Sequence, residues 1–253
     1  LLMPVGAQAN PLPDRLKSLT ISVWLEYDRP GGRYIFHGEL SDGTTLPATL
    51  VFRVPARSGG PSSTASIDPA GGYHFVRPTL REDGDTIVVE YATNWPRFQF
   101  EYYDDVLERQ GQNRQFEFSY RADHAIDQLV LEVKEPYGAA GLHLDPPASA
   151  QSQGEDGLTV HRRTVGAMAP GQEVRWKVEY NKNDARLSIE ALGKPTPSVS
   201  AYEAGLSSTR AAARNRDRAV MALLALVGLV SLGGLGLSLR SAVGGQQAEG
   251  WSN

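Results

Sequence analysis

DGDTIVVEY, residues 83–91, closes on the same three letters as PGQEVRWKVEY, residues 170–180, and the two shared tyrosines stand 89 positions apart. In each phrase a glycine-bearing turn leads into β-branched or aromatic residues alternating with polar ones, the period-two pattern of a strand with one buried face. Asp83-Gly84 between two such runs is a strong hairpin signal. The neighbouring carboxylates Glu82, Asp83 and Asp85 would also suit a hard cation such as calcium, but the turn explains the same residues more simply.

Working outward, the same pattern recurs in ISVWLEY (21–27), RYIFHGEL (33–40), ATLVFRV (48–54), YHFV (73–76), RFQFEYY (97–103), RQFEFSY (114–120), QLVLEVKE (128–135), LTVHRR (158–163) and ARLSIEA (185–191). Short strands separated by Gly, Pro, Asp and Asn predict an all-β sandwich architecture. Four blocks also match in order between the halves: 23–28 with 98–104, 33–40 with 114–121, 50–55 with 129–133, and 73–91 with 158–180. The collinearity predicts a duplicated module, two tandem Ig-like or fibronectin-like sandwiches of five or six strands at 17–94 and 95–192.

The two ends carry different signals. Ala7-Gln8-Ala9 after an apolar opening has the small-x-small form of a signal-peptidase site, so residues 1–9 read as a signal-peptide remnant. Residues 193–210, rich in Pro, Ser and Gly, read as a linker. From Ala219 to Leu239 the chain is uncharged, and 21 residues of helix span about 30 Å, the thickness of a bilayer's hydrocarbon core. A single transmembrane helix at 219–239 with a short tail at 240–253 follows.

A signal peptide places the body outside the cytoplasm, periplasmic or at the cell surface. The cluster Arg210, Arg214, Arg216 and Arg218 before the span argues for the reverse orientation by the positive-inside rule. Long domains translocate largely regardless of such charge, so the signal peptide takes precedence. In that topology the four arginines are candidate lipid-headgroup contacts, and Gly234 with Ser238 forms a small-xxx-small pair for contact with another helix.

Net charge is -4 with 21% charged residues, which gives no nucleic-acid footprint. Cysteine is absent, which excludes disulfides, thiolate metal sites and a thiol nucleophile. The five histidines, His37, His74, His124, His143 and His161, show no metal-ligand spacing, and no serine sits in a G-x-S-x-G elbow. No cofactor is implied, and a small-molecule substrate is disfavoured. Trp24 and Trp176, both mid-strand, are expected in the core. Trp95, Tyr102 and Tyr103 cluster at the predicted junction of the two sandwiches. They are candidates either for an interdomain interface or for a ligand site where sugar rings stack on aromatics.

The phrases LEYDRPGGRYIFHGELSDGTTLPATLVFRVPA (25–56), LVLEVKEPYGAAGLHLDPPA (129–148) and DGLTVHRR (156–163) resemble uncharacterised bacterial exported β-sandwich proteins with one C-terminal membrane helix. The resemblance covers most of residues 20–240 and implies no activity. Some such proteins continue into a tail with paired Cys-x-x-Cys motifs, which this chain lacks. The resulting expectation is a non-catalytic, membrane-anchored extracytoplasmic interaction or accessory protein whose partner is another envelope or membrane protein. The alternatives are a cell-surface carbohydrate- or ligand-binding module and, more remotely, a hydrolase.

Overall fold

The computed structural model describes residues 11–193. The expected signal-peptide remnant, all but the first residue of the expected linker, the expected membrane span and tail, Arg210, Arg214, Arg216, Arg218, Gly234 and Ser238 lie outside the described residues. No helix among the described residues is long and apolar enough to cross a membrane.

The described chain is all-β. Its strands are β1 (Arg15–Leu25), β2 (Gly32–Leu40), β3 (Ala48–Pro55), β4 (Pro61–Ile67), β5 (Tyr73–Phe75), β6 (Thr79–Asp83), β7 (Thr86–Thr93), β8 (Arg97–Asp104), β9 (Glu108–Gln110), β10 (Asn113–Arg121), β11 (Ala125–Lys134), β12 (Ala139–Asp145), β13 (Ala150–Gln153), β14 (Thr159–Met168) and β15 (Glu173–Lys182), followed by one helical turn, α1 (Ser188–Ala191). They form an eight-stranded sheet in the order β13-β14-β11-β1-β2-β8-β4-β5, a four-stranded sheet β12-β15-β10-β9 and a three-stranded sheet β3-β7-β6.

Both smaller sheets pack on one face of the large one. Phe36 of β2 meets Phe52 of β3 at 5.9 Å and Tyr120 of β10 at 5.8 Å, while Phe52 stacks on Phe100 of β8 at 5.1 Å. The strand pattern produces this directly. In β10 the buried residues Arg114, Phe116, Phe118 and Tyr120 alternate with exposed ones, so every apolar side chain falls on the inner face. One core runs from Leu16 to Tyr180 through all three sheets. Burying one such Phe side chain contributes roughly 1.5–3 kcal/mol, so the ring cluster is a principal support of the fold. Within the large sheet the Phe98 ring of β8 lies over Gly38 of the neighbouring β2, where a Cβ would stand 2.1 Å from its Cζ.

The boundary at 94/95 does not separate two compact units. Residues 11–193 belong to one such unit, and β8, assigned from sequence to the second half, is hydrogen-bonded between β2 and β4 of the first. In turn β1 pairs in parallel with β11, setting Leu19, Ile21 and Val23 beside Leu129, Leu131 and Val133. Nor do all the matched blocks occupy equivalent places: β2 lies in the large sheet and β10 in the four-stranded one, β3 in the three-stranded sheet and β11 in the large one. Alternating apolar strands resemble one another whatever sheet they enter, so the four matches record a common period and no common topology.

Two local readings also change. Residues 83–86 form the expected hairpin between β6 and β7, with Gly84 at φ 64°. ARLSIEA, expected as a strand, instead carries α1, which docks on the β1–β2 loop. The backbone N–H groups of Ser188 and Ile189 donate to the carbonyls of Glu26 and Tyr27, and Ile189 packs with Tyr27 and Leu158. Glu26 is buried at φ 44°, accepts a hydrogen bond from the Tyr180 hydroxyl at 2.9 Å, and lies 3.5 Å from both Arg114 and Lys182. The end of the described chain is thereby fixed to the end of β1.

Candidate functional site

Strand alternation that sends Phe98, Phe100 and Tyr102 into the core sends Gln99, Glu101 and Tyr103 to the other face of the large sheet. Register places Arg33 beside Tyr103, Trp24 beside Arg33, and Lys134 beside Trp24, so four strands contribute one row of charges and rings. Side chains on this face reach solvent: His37, Arg97, Arg162 and Thr164 are exposed, and Trp24, Arg33 and Tyr103 are half-buried.

The row is cross-linked. Lys134 Nζ stands 3.7 Å from the centre of the Trp24 ring and donates to Asp156 at 2.7 Å. Arg33 donates to Glu101 through Nη2 at 2.7 Å and Nε at 3.2 Å, and its guanidinium lies 5.4 Å from the Trp24 ring centre. Tyr103 donates its hydroxyl to Asp28 at 2.7 Å, and Arg29 lies over its ring at 4.2 Å. Further along, Glu132 accepts from Ser22 at 2.6 Å and from Arg162 at 2.7 Å.

Burial pushes the Asp156 carboxyl up, but hydrogen bonds from Lys134 and the Leu158 backbone outweigh it and hold the group below its usual range. Burial, with the Asp28 contact, raises the Tyr103 phenol well above its ordinary value. The Asp156 carboxyl is therefore ionised and the Tyr103 phenol neutral near neutral pH, which suits the one to accept from Lys134 and the other to donate to Asp28.

Of the interface or ligand candidates Trp95, Tyr102 and Tyr103, only Tyr103 belongs to this row. Tyr102 is buried and stacks on Tyr34 with centroids 4.5 Å apart. Trp95 sits before β8, against His74 at 4.4 Å. Seven positions separate Trp95 from Tyr102, most of them in the extended β8, and the alternation divides Tyr102 from Tyr103, so the three do not converge. Trp24 is not core as expected, whereas Trp176 is. His74 and His161, which fall in the matched blocks 73–91 and 158–180, differ: His74 is exposed and pairs with Asp68 at 2.8 Å, whereas His161 is buried and pairs with Glu135 at 3.0 Å. The sequence reading missed Arg33, Glu101, Lys134 and Asp156. For the first three the signal was charge at outward strand positions, while Asp156 lies in the turn between β13 and β14, and only the fold reveals that they adjoin.

A second feature is a cleft of about 620 Å³ where the ends of β3 and β10 approach one another. Phe36, Val54 and Ala122 supply apolar wall, and Arg53, Tyr120, Arg121 and Asp123 supply polar groups. Arg53 and Asp123 pair through Nη1 and Oδ1 at 2.5 Å, and Asp123 Oδ2 also accepts the Arg53 backbone N–H at 3.0 Å. His124 donates from Nε2 to the Val51 carbonyl at 2.8 Å. These two side chains satisfy the outer edge of β3 as a neighbouring strand would.

No family model matches the chain, and no curated protein does. Among solved structures, a protein from Parabacteroides distasonis whose protease assignment is itself only proposed aligns with 66% of this chain and 40% of its own, at 10% identity and a TM-score of 0.35. The chain thus spans well under half of that structure's length, and a similarity of this size carries no argument about function.

Proposed function

We propose that the protein is a non-catalytic, membrane-anchored accessory protein, its body outside the cytoplasm, which docks another envelope protein on the outer face of the eight-stranded sheet. The carrying observation is the row Tyr103, Arg33, Trp24 and Lys134, held rigid by Asp28, Glu101 and Asp156. Seven inter-strand spacings of about 4.8 Å make the face roughly 34 Å wide, enough for the ~800 Å² that one partner contributes to a standard interface. Rings and arginine are the side chains on which binding energy concentrates in such interfaces. The anchor rests on the uncharged span 219–239.

Carbohydrate binding is the competing reading, but Arg29 and Lys134 already stand over the Tyr103 and Trp24 rings on which a sugar would stack. The test is purification of the full chain from native membranes in mild detergent, followed by mass spectrometry. A constant stoichiometric partner is expected, and Arg29→Glu combined with Arg162→Glu should release it without unfolding the protein. Recovery of the chain alone, together with binding on a glycan array, would transfer the face to the carbohydrate reading.

A further inference from the structure

The three-stranded sheet has two unlike edges. Along the outer side of β3 the Thr49 N–H donates to the Pro11 carbonyl, the Val51 carbonyl accepts from His124, and the Arg53 N–H donates to Asp123. Along β6 nothing comparable stands among the described residues: its one strand neighbour is β7, and all five of its residues are exposed. β6 and β7 join through the two-residue turn Gly84-Asp85, so Asp83 and Thr86 form a mutually hydrogen-bonded pair. Alternation along the antiparallel ladder then turns the backbone N–H and C=O of Leu80 and Glu82 away from β7. Register sets Leu80 beside the core residue Val89, which in turn adjoins Phe52, so Leu80 holds an inner-face position and yet is 49% exposed. Outward backbone groups with an uncovered apolar side chain among them are what an added strand requires.

We infer that a second copy of this chain supplies that strand, the two β6 edges pairing antiparallel about a two-fold axis at Leu80. The edge is self-complementary in charge, and the charges select the register. In a two-fold antiparallel pair the residue on the axis faces itself, and each neighbour faces the residue equally far on the other side. Centring on Arg81, Glu82 or Asp83 sets a like charge opposite itself, and centring on Thr79 sets Arg81 opposite Arg77. Centring on Leu80 instead sets leucine on leucine, Arg81 opposite Thr79, Glu82 opposite Pro78, and Asp83 opposite Arg77 of the second copy. Arg77 and Asp83 are both exposed, and the extended backbone that Pro78 favours in Arg77 continues the edge. Charges that repel strands arriving in other registers thus favour this one. The contact joins two three-stranded sheets into one and leaves the outer face of the large sheet uninvolved, so either assignment can fail alone.

The chain has no cysteine, so a single introduced one reports the contact without background. A hydrogen-bonded antiparallel pair holds its Cα atoms about 5.5 Å apart, within disulfide reach. In the full chain in non-ionic detergent, Leu80→Cys should form a covalent dimer on mild oxidation. Glu82→Cys should not, because its two copies stand about 14 Å apart along the paired strands. Sedimentation of the wild type should show a dimer that grows with concentration. Asp83→Arg should weaken it several-fold by setting two arginines face to face, and Arg77→Asp combined with Asp83→Arg should restore it, with the thermal midpoint unchanged in both. Absence of a dimer, equal cross-linking at positions 80 and 82, unaltered dimerisation of Asp83→Arg, or failure of the double variant to recover it would each overturn the assignment.

Discussion

Glu26 shows how a single buried charge organises its surroundings. It faces Arg114 and Lys182 at 3.5 Å and accepts from Tyr180. Removing its charge strands two buried cations, and breaking a buried pair in this way costs about 3–5 kcal/mol. Glu26→Gln is therefore expected to lower the thermal midpoint sharply, whereas Glu26→Gln combined with Lys182→Met should recover part of the loss. His124 supplies a pH dependence of definite sign. Burial lowers its pKa below the ordinary value near 6.5, so the unfolded chain takes up the proton first. Stability from this group is complete above about pH 6.5 and falls as the pH drops below it. Thermal midpoints between pH 7.5 and 5 should decline, and His124→Gln should decline less steeply; parallel curves would remove His124 from the account.

Among the elements, β2 is the most exacting, because Phe98 lies against the bare backbone of Gly38. Gly38→Ala forces that ring or the strand aside, an overpacking expected to cost at least the usual ~1–3 kcal/mol, which urea unfolding would measure. The element scale also shows what the sequence disclosed. β1, β2, β3, β7, β8, β10, β11 and β15 were legible because bulky apolar residues alternate through them. β4 was not: PSSTASI reads as a loop, yet Thr64 and Ser66 are fully buried, and Thr64 donates to the Val76 carbonyl. Small hydroxyl residues fit a crowded inner face without giving a hydropathy signal. In the candidate site Tyr103 was legible as an aromatic candidate, but its neighbour Arg33 and, further along the row, Lys134 come from strands far away in sequence, and the long-range register that assembles them leaves no local trace.

For the whole molecule, the shared large sheet predicts one cooperative unfolding transition for the described region, where two independent sandwiches would give two. A fragment covering residues 11–94 lacks β8, the strand between β2 and β4, and should show no dispersed amide spectrum; a folded fragment would reinstate the boundary at 94/95. The parallel pairing of β1 with β11 also has a consequence in time. Arg15 meets Ala125, 125 − 15 = 110 positions later, so the centre of the sheet is closed by contacts of long sequence separation, which form slowly. At about 5–20 residues per second, the 134 − 40 = 94 residues between the ends of β2 and β11 take roughly 5–20 s to synthesise. Throughout that interval the nascent chain carries apolar strands whose partners do not yet exist, which makes it a natural client for chaperones that hold unfolded polypeptide.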